Sequence, residues 1–382
     1  MEYYTLLDKV YEAYYDCRKN KGRKKSAIQF SWDYEKELKK LTDELYDKSY
    51  HPTTSIVFPV TRPKHREVFA ANFRDRIVHH LLMNEFGSLL EDEMIEDSYN
   101  CRVGKGNLYG IKRLEEKIKI ISKNYTVKTY ALSCDIQGFF MSIDKKRLWQ
   151  MLETLIRDKY KGEDIEWWLR LFKIVIMHRP ELDCEIRGDK KILDALPDIK
   201  TLFRSNGKGI PIGNLPSQIC GNYYLTPFDW FVIKLLGKDG FYCRFVDDFK
   251  VISNDKKMLQ KIAVECRNYL RDYLGLVLHP QKISIIDVTK GLPFIGFAVM
   301  PWGLYTSNRV ISNAFYRFSD DETDAEKMIA CYNSYMGFLI HCKTYGIRWR
   351  LYNSLSDKRK NEVECIDMKK YKLKKIIGKK IQ

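Results

Sequence analysis

Tyr242-Cys243-Arg244-Phe245-Val246-Asp247-Asp248-Phe249 decides the reading of this chain. Phe241 to Ile252 forms two short β-type runs around a pair of aspartates, which predicts a hairpin with the acids at its turn. Adjacent aspartates are commonplace in solvated turns, and Asp320-Asp321 reads as one such case. Asp247-Asp248 differs because apolar strand residues on both sides press the acids into a fixed place. Two like charges a few ångströms apart repel by about 4 kcal/mol at an effective dielectric of 20. Crowded, immobile carboxylates therefore call for a cation.

Working outward, a third acid, Asp135, lies near the end of a predicted strand from Val127 to Ile136, and a helix from Lys145 to Ile156 follows it. Three acids on adjacent strands can hold two divalent ions. Hard oxygen ligands suit Mg2+, with Mn2+ as an alternative occupant, and two such ions fit phosphoryl transfer. Downstream, Gly207 to Gly213 leads into a long predicted helix, Leu215 to Leu236. A helix from Lys257 to Leu274 and strands at Lys282 to Ile286 and Phe294 to Met300 complete an alternating α+β unit.

The flanks are plainer. Residues 1–50 read as a helical extension, with one helix around Tyr4 to Tyr14 and a second at Asp33 to Tyr46. Prolines 52, 59 and 63 surround a β run, Ser55 to Phe58, and a basic loop follows at Arg62 to Arg66. The helix from Ile77 to Leu90 carries His79 and His80, which as neighbours do not share a helix face and read as core residues rather than metal ligands. Residues 162–205, with Trp167 and Trp168, read as an irregular insertion peripheral to the chemistry. Cys101 to Gly106 looks glycine-rich but lacks the P-loop pattern. From Asn308 the chain turns helical and ends in a lysine-rich tail, Lys369 to Lys380.

Composition narrows the class. With 45% hydrophobic and 13% aromatic residues, the 382-residue chain is a folded protein of two or three packed subdomains. No apolar stretch approaches the length of a membrane span, and the first fifteen residues do not resemble a signal peptide. A cytoplasmic location is expected. The ten cysteines are scattered without a C-x-x-C pair, as reduced thiols are. The 66 Lys and Arg against 50 Asp and Glu leave a net charge of +16, enough to attract a polyanion in a salt-dependent way.

Taken in order, these segments resemble the motifs of the reverse transcriptases. Tyr130 to Phe140 is similar to the first palm motif, Gly209 to Asn222 to the template-positioning motif, and Phe245-Val246-Asp247-Asp248 to the Y/F-x-D-D turn. Leu278-His279-Pro280-Gln281-Lys282 and Phe294-Ile295-Gly296-Phe297 resemble the later palm and primer-grip motifs. Most family members carry a glutamine where this chain has Ile212. Ile212-Gly213-Asn214-Leu215-Pro216-Ser217-Gln218 instead resembles the diversity-generating retroelement subgroup, as do Arg66 to His80 and Asn333 to Gly337.

The resemblance implies a right-hand polymerase fold of the α+β class. Its parts would be a helical extension (1–50), fingers (51–125), palm (126–300, with the segment near 162–205) and a helical thumb with a basic tail (301–382). It implies a two-metal RNA-directed DNA polymerase with Asp135, Asp247 and Asp248 as metal ligands. Lys282 would protonate the leaving pyrophosphate, and Arg74, Arg76, Phe140, Ile212 and Gln218 would meet the nucleotide. Lys64, Arg66, Lys105, Lys343, Arg348 and Arg350 would grip nucleic acid. Expected partners are template RNA, the cDNA primer-template duplex, deoxynucleoside triphosphates and a small oligomeric accessory protein. Ile212 cannot hydrogen-bond the incoming nucleotide as an amide would, which predicts low fidelity at adenines. The competing readings are another prokaryotic reverse transcriptase (retron, group II intron or phage-defence type) and a catalytically silent RNA-binding protein of the same shape.

Overall fold

The computed structural model describes residues 1–19, 24–62 and 64–374. Three helices open the chain: α1 (Tyr3–Arg18), α2 (Lys25–Trp32) and α3 (Tyr34–Tyr46). Strands β1 (Ser55–Val60) and β2 (Arg66–Ala70) form an antiparallel hairpin, followed by α4 (Phe73–Glu93) and α5 (Asn107–Ile121). The Asn72 side chain caps α4 by accepting the Arg74 backbone N–H at 3.2 Å. Next come β3 (Tyr130–Asp135), α6 (Phe139–Ser142), α7 (Lys145–Lys159), α8 (Ile165–Met177), β4 (Cys184–Ile186) and α9 (Lys190–Asp194). Helices α10 (Leu215–Tyr224) and α11 (Thr226–Leu236) precede the hairpin of β5 (Gly240–Phe245) and β6 (Asp248–Ser253). The sheet-forming region closes with α12 (Lys256–Leu274), β7 (Ser284–Asp287), β8 (Leu292–Phe294), β9 (Phe297–Met300) and β10 (Gly303–Thr306). The C-terminal part holds α13 (Asn308–Phe318), α14 (Ala325–Leu339), α15 (Tyr345–Asn353), α16 (Asp357–Glu362) and the hairpin of β11 (Val363–Ile366) and β12 (Lys370–Leu373).

A four-stranded antiparallel sheet, ordered β5-β6-β3-β7, organises the centre. Side chains alternate between its faces. Leu132, Cys134, Tyr242, Phe249 and Val251 enter the main core, which they share with Phe228 and Val232 of α11 and Leu259, Ile262 and Leu270 of α12. Ala131, Phe241, Cys243 and Ile252 enter a second cluster with Ile111, Leu114 and Ile118 of α5 and with Leu292, Phe294, Phe297 and Val299. With both faces covered, one end of the sheet is left for chemistry. The C-terminal helices and hairpin have their own core, centred on Phe318, Tyr332, Met336, Leu351 and Tyr371.

Four sequence expectations change here. Residues 162–205 are not an irregular insertion: α8 buries Trp167, Trp168, Leu171 and Phe172 in the main core, and β4 pairs in parallel with β1. Thr201 Oγ1 and the Leu202 N–H both bond the fully buried Glu67 carboxylate, tying this segment to β2. The long helix from Leu215 to Leu236 is two helices, because Pro227 has no N–H to continue the first and instead opens α11. The C-terminal region is not helical to its end, since β11 and β12 close it, and residues 375–382 of the lysine-rich tail lie outside the described residues. Helix α2 and strand β2 were absent from the sequence reading, the latter concealed by the charged Arg66-Glu67 at its start. No helix among the described residues is long and apolar enough to cross a membrane.

Candidate active site

The register of the central sheet brings the predicted acids together. Asp135, the last residue of β3, lies directly opposite Asp248, the first residue of β6. Phe245 also pairs with Asp248, so Val246 and Asp247 form a two-residue loop between β5 and β6. The loop is pinned from the side, since the Ile136 N–H donates to the Asp247 carbonyl at 3.0 Å and the His279 N–H to the Asp135 carbonyl at 2.8 Å. Val246 adopts φ 58°, a left-handed conformation that a β-branched residue holds only where its surroundings enforce it.

Arg244 supplies that enforcement. Its fully buried guanidinium donates to the Val246 carbonyl at 3.0 Å and to the Asn222 carbonyl at 3.1 Å. It also pairs with the equally buried Asp229, at 2.7 and 2.6 Å, and Asp229 accepts the Tyr242 hydroxyl at 2.6 Å. Asn222 on α10 donates in turn to the Asn100 carbonyl at 2.6 Å. One buried polar network therefore links α10, α11 and the acidic loop. Sequence reading missed it, although an arginine within the apolar run Tyr242 to Val246 was a visible signal of a buried, partnered charge.

The carboxylates differ in their surroundings. Lys282 donates to Asp135 Oδ1 at 2.7 Å, and Lys250 to Asp248 Oδ1 at 2.7 Å. Burial, and next the Asp135 charge, push the Asp247 carboxyl up to about 6. Burial also raises Asp248, against the opposing charge of Lys250. Among the described residues no three His, Cys, Asp or Glu side chains are grouped closely enough to form a ready-made metal cage. The donor chemistry nonetheless fits Mg2+, which takes one or two carboxylates and completes its shell with water and substrate phosphates. Asp247, lacking a lysine of its own, carries the charge that a cation would offset.

Residues 63–299 match the family model described as reverse transcriptase (RNA-dependent DNA polymerase). The chain belongs to the reverse transcriptase family. Its α+β architecture is the right-hand polymerase fold of that family, whose members are RNA-dependent DNA polymerases. A curated relative, Protein YkfC of Escherichia coli (strain K12), is 23% identical over 310 residues, covering 72% of this chain and 74% of the relative. Among solved structures, the apo telomerase of Candida tropicalis is similar with TM-score 0.49 at 12% identity, covering 79% of this chain and 55% of that one. The Candida albicans telomerase in complex with a TWJ fragment of telomeric RNA gives TM-score 0.48 at 10% identity, with coverages of 79% and 55%. This chain thus spans little more than half of either telomerase.

The reverse transcriptase places its other predicted residues unevenly. Ile212 packs partly buried against the cluster of Val57, Phe69 and Met141, and its carbonyl accepts the Phe69 N–H at 2.8 Å. Phe140 is half-buried beside Phe139 and faces the Cα of Gly221 on α10. Gln218 accepts from the Cys101 thiol at 3.2 Å. Arg76 donates to the Ala71 carbonyl at 2.8 Å, bracing the start of α4. Arg74 departs from its expected role: it forms a bidentate pair with Glu44 of α3 over the Tyr50 ring and thereby anchors the N-terminal helices. Lys105 is likewise engaged, by Glu96.

The residues expected to grip nucleic acid differ in their exposure. Arg348 is buried and donates to the Met368 carbonyl at 2.7 Å, so it braces the β11–β12 hairpin rather than meeting a duplex. Lys64, Lys343 and Arg350 are exposed, and Arg66 is half-buried at the start of β2. A groove of about 390 Å³, missed from sequence, is lined by Arg62, Arg309, Asn313, Arg317, Tyr335 and Phe338. Arg62 reaches across to stack on Tyr316 of α13, its guanidinium 3.9 Å from the ring centre. The arginines of α13 fall at helical spacing, but scattered basic residues elsewhere obscured them in the sequence.

Proposed function

We propose that this reverse transcriptase makes error-prone, adenine-mutagenic cDNA from a template-repeat RNA in a diversity-generating retroelement. The observation carrying the reading is Ile212 within Ile212-Gly213-Asn214-Leu215-Pro216-Ser217-Gln218, an aliphatic side chain where most of the family has an amide. An aliphatic group forms no hydrogen bond with an incoming nucleotide, so the site loses one polar criterion of correct placement.

In this reading Asp135, Asp247 and Asp248 hold two Mg2+ ions, and Mn2+ can substitute. Bound there, the ions would activate the primer 3′-hydroxyl and stabilise the leaving pyrophosphate. Lys282, 40% exposed and 2.7 Å from Asp135, has the freedom to protonate that pyrophosphate. Phe140 sets the floor under the sugar, and Gln218 and Arg76 shape the nucleotide site from α10 and α4. Arg62, Arg309 and Arg317, with Lys64, Arg66, Lys343 and Arg350, contact the primer-template backbone. We assign 51–125 together with the β4 segment to the fingers, the central sheet and its helices to the palm, and the region from Asn308 to the thumb. A small oligomeric accessory protein is the expected partner, and the cytoplasm the expected compartment.

The test is cDNA synthesis by purified protein with and without its neighbouring RNA and small partner protein, followed by sequencing. Asp247→Ala combined with Asp248→Ala serves as the inactive control. Aspartate-dependent errors concentrated at template adenines, reduced by Ile212→Gln or Ile212→Asn, support the reading. Accurate cDNA identifies instead an enzyme of the retron, group II intron or phage-defence kind, and no cDNA under any condition identifies a binding protein.

A further inference from the structure

Lys250 lies two residues beyond Asp248 on β6, and the strand period places both side chains on one face. The Lys250 side chain is only 6% exposed, and its ammonium is 2.7 Å from Asp248 Oδ1. Among the described residues this is the one hydrogen bond the ammonium makes. Phe294 covers it, with the ring centre 5.3 Å away. Its cross-strand neighbours are Ser133 on β3 and Cys243 on β5. The Ser133 hydroxyl is itself buried without a partner, so Asp248 is the acceptor that meets the ammonium in this enclosed site.

The contrast is with Lys282. That lysine makes an equally short bond to Asp135 but is 40% exposed, with room to leave. Lys250 has no such route, because strands on either side and Phe294 above confine it. An approaching divalent ion can displace Lys282 from Asp135, whereas at Asp248 it meets a fixed positive charge.

We propose that Lys250 is a positioning residue that permanently occupies Asp248 Oδ1, leaves one carboxylate oxygen for a divalent ion, and holds the free enzyme's ion affinity low until nucleotide phosphates arrive. The inference rests on the reading that Asp135, Asp247 and Asp248 bind divalent ions. Its consequence is ordered loading: the nucleotide's phosphates supply the oxygen ligands and negative charge that Lys250 withholds. Lys250 touches no reacting atom and acts only through Asp248.

Mn2+ binding to the full chain, followed by the loss of the free-ion paramagnetic signal, tests this without turnover. Lys250→Met keeps length and burial and removes the charge, whereas Lys250→Arg keeps the charge. Without nucleotide, Lys250→Met should bind Mn2+ at least tenfold more tightly than wild type, and Lys250→Arg should match wild type. With dideoxy-terminated primer-template and a complementary deoxynucleotide, the gap should close to within about threefold. In primer extension Lys250→Met should lose kcat with little change in the nucleotide KM, and Lys250→Arg should restore most of it. Equal Mn2+ affinity in wild type and Lys250→Met overturns the proposal. Should Lys250→Met fail to fold, Lys250→Gln takes its place under the same criterion. Wild type that binds no Mn2+ even with primer-template and nucleotide overturns the active-site reading itself, a separate result.

Discussion

Arg244→Met removes the cation from a site where every neighbour was arranged around it. Arg244 and Asp229 are both fully buried and joined by two charge-assisted bonds, so losing the arginine strands a buried carboxylate that keeps only the neutral Tyr242 hydroxyl as a partner. Breaking one side of such a pair costs about 3–5 kcal/mol, a large share of the roughly 5–15 kcal/mol that stabilises a typical protein. Removing both charges, in Asp229→Leu with Arg244→Met, deletes the stranded carboxylate and should recover about half of that loss. Activity should not recover with it, because the Val246 carbonyl still lacks the donor at 3.0 Å that holds the acidic loop in its left-handed turn. Urea unfolding measures the first quantity and single-turnover primer extension the second. If the double variant regains both stability and cDNA synthesis, the β5–β6 hairpin alone positions the acids and the network argument fails.

Other outcomes follow from individual contacts. The Asp247 carboxyl sits at about 6 against an ordinary 3.8, so the fold takes up a proton between those values and weakens as pH rises through that window. In chelator at pH 7.5, Asp247→Asn should therefore melt a few degrees above wild type while losing polymerisation, and the gain should shrink as pH falls from 6 towards 4. No gain at pH 7.5 would contradict the burial argument. Arg309→Ala with Arg317→Ala should weaken duplex binding independently of sequence and reduce the log–log salt slope by about 2. An unchanged slope removes the groove from the nucleic-acid path. Gly213 has φ +119°, and an added Cβ would collide with the Phe69 carbonyl oxygen, so Gly213→Ala should displace Ile212 and raise the nucleotide KM. A wild-type KM would show that Ile212 is not held through this loop.

What the sequence revealed depended on how locally each feature is determined. The acidic hairpin was readable because strand alternation and the turn lie within a dozen residues, and Asp135 because it closes its own β run. The β1–β4 pairing was not, since nothing near Cys184 specifies that a three-residue strand will lie parallel to Ser55–Val57. Arg348 looked like a duplex contact because charge beside an exposed tryptophan is common on binding surfaces, yet the Met368 carbonyl that claims it is twenty residues away. Arg74 was misplaced for the same reason, its partner Glu44 being thirty residues upstream. The Pro227 break was legible and was overridden by the helical spacing on either side. Lys250 was also within reach, because an i+2 lysine on a strand must share the face of Asp248.

The parallel contact between β1 and β4 bears on how the chain is made. At synthesis rates of about 5–20 residues per second, roughly 6–26 s separate the emergence of β1 from that of its partner β4, which lies 129 positions later (Cys184 opposite Ser55). Throughout that interval the nascent β1–β2 hairpin presents an unpaired strand edge, and the Glu67 carboxylate lacks Thr201 and Leu202. The slower residues 70–185 are made, the longer that edge of β1 stays open to other strands.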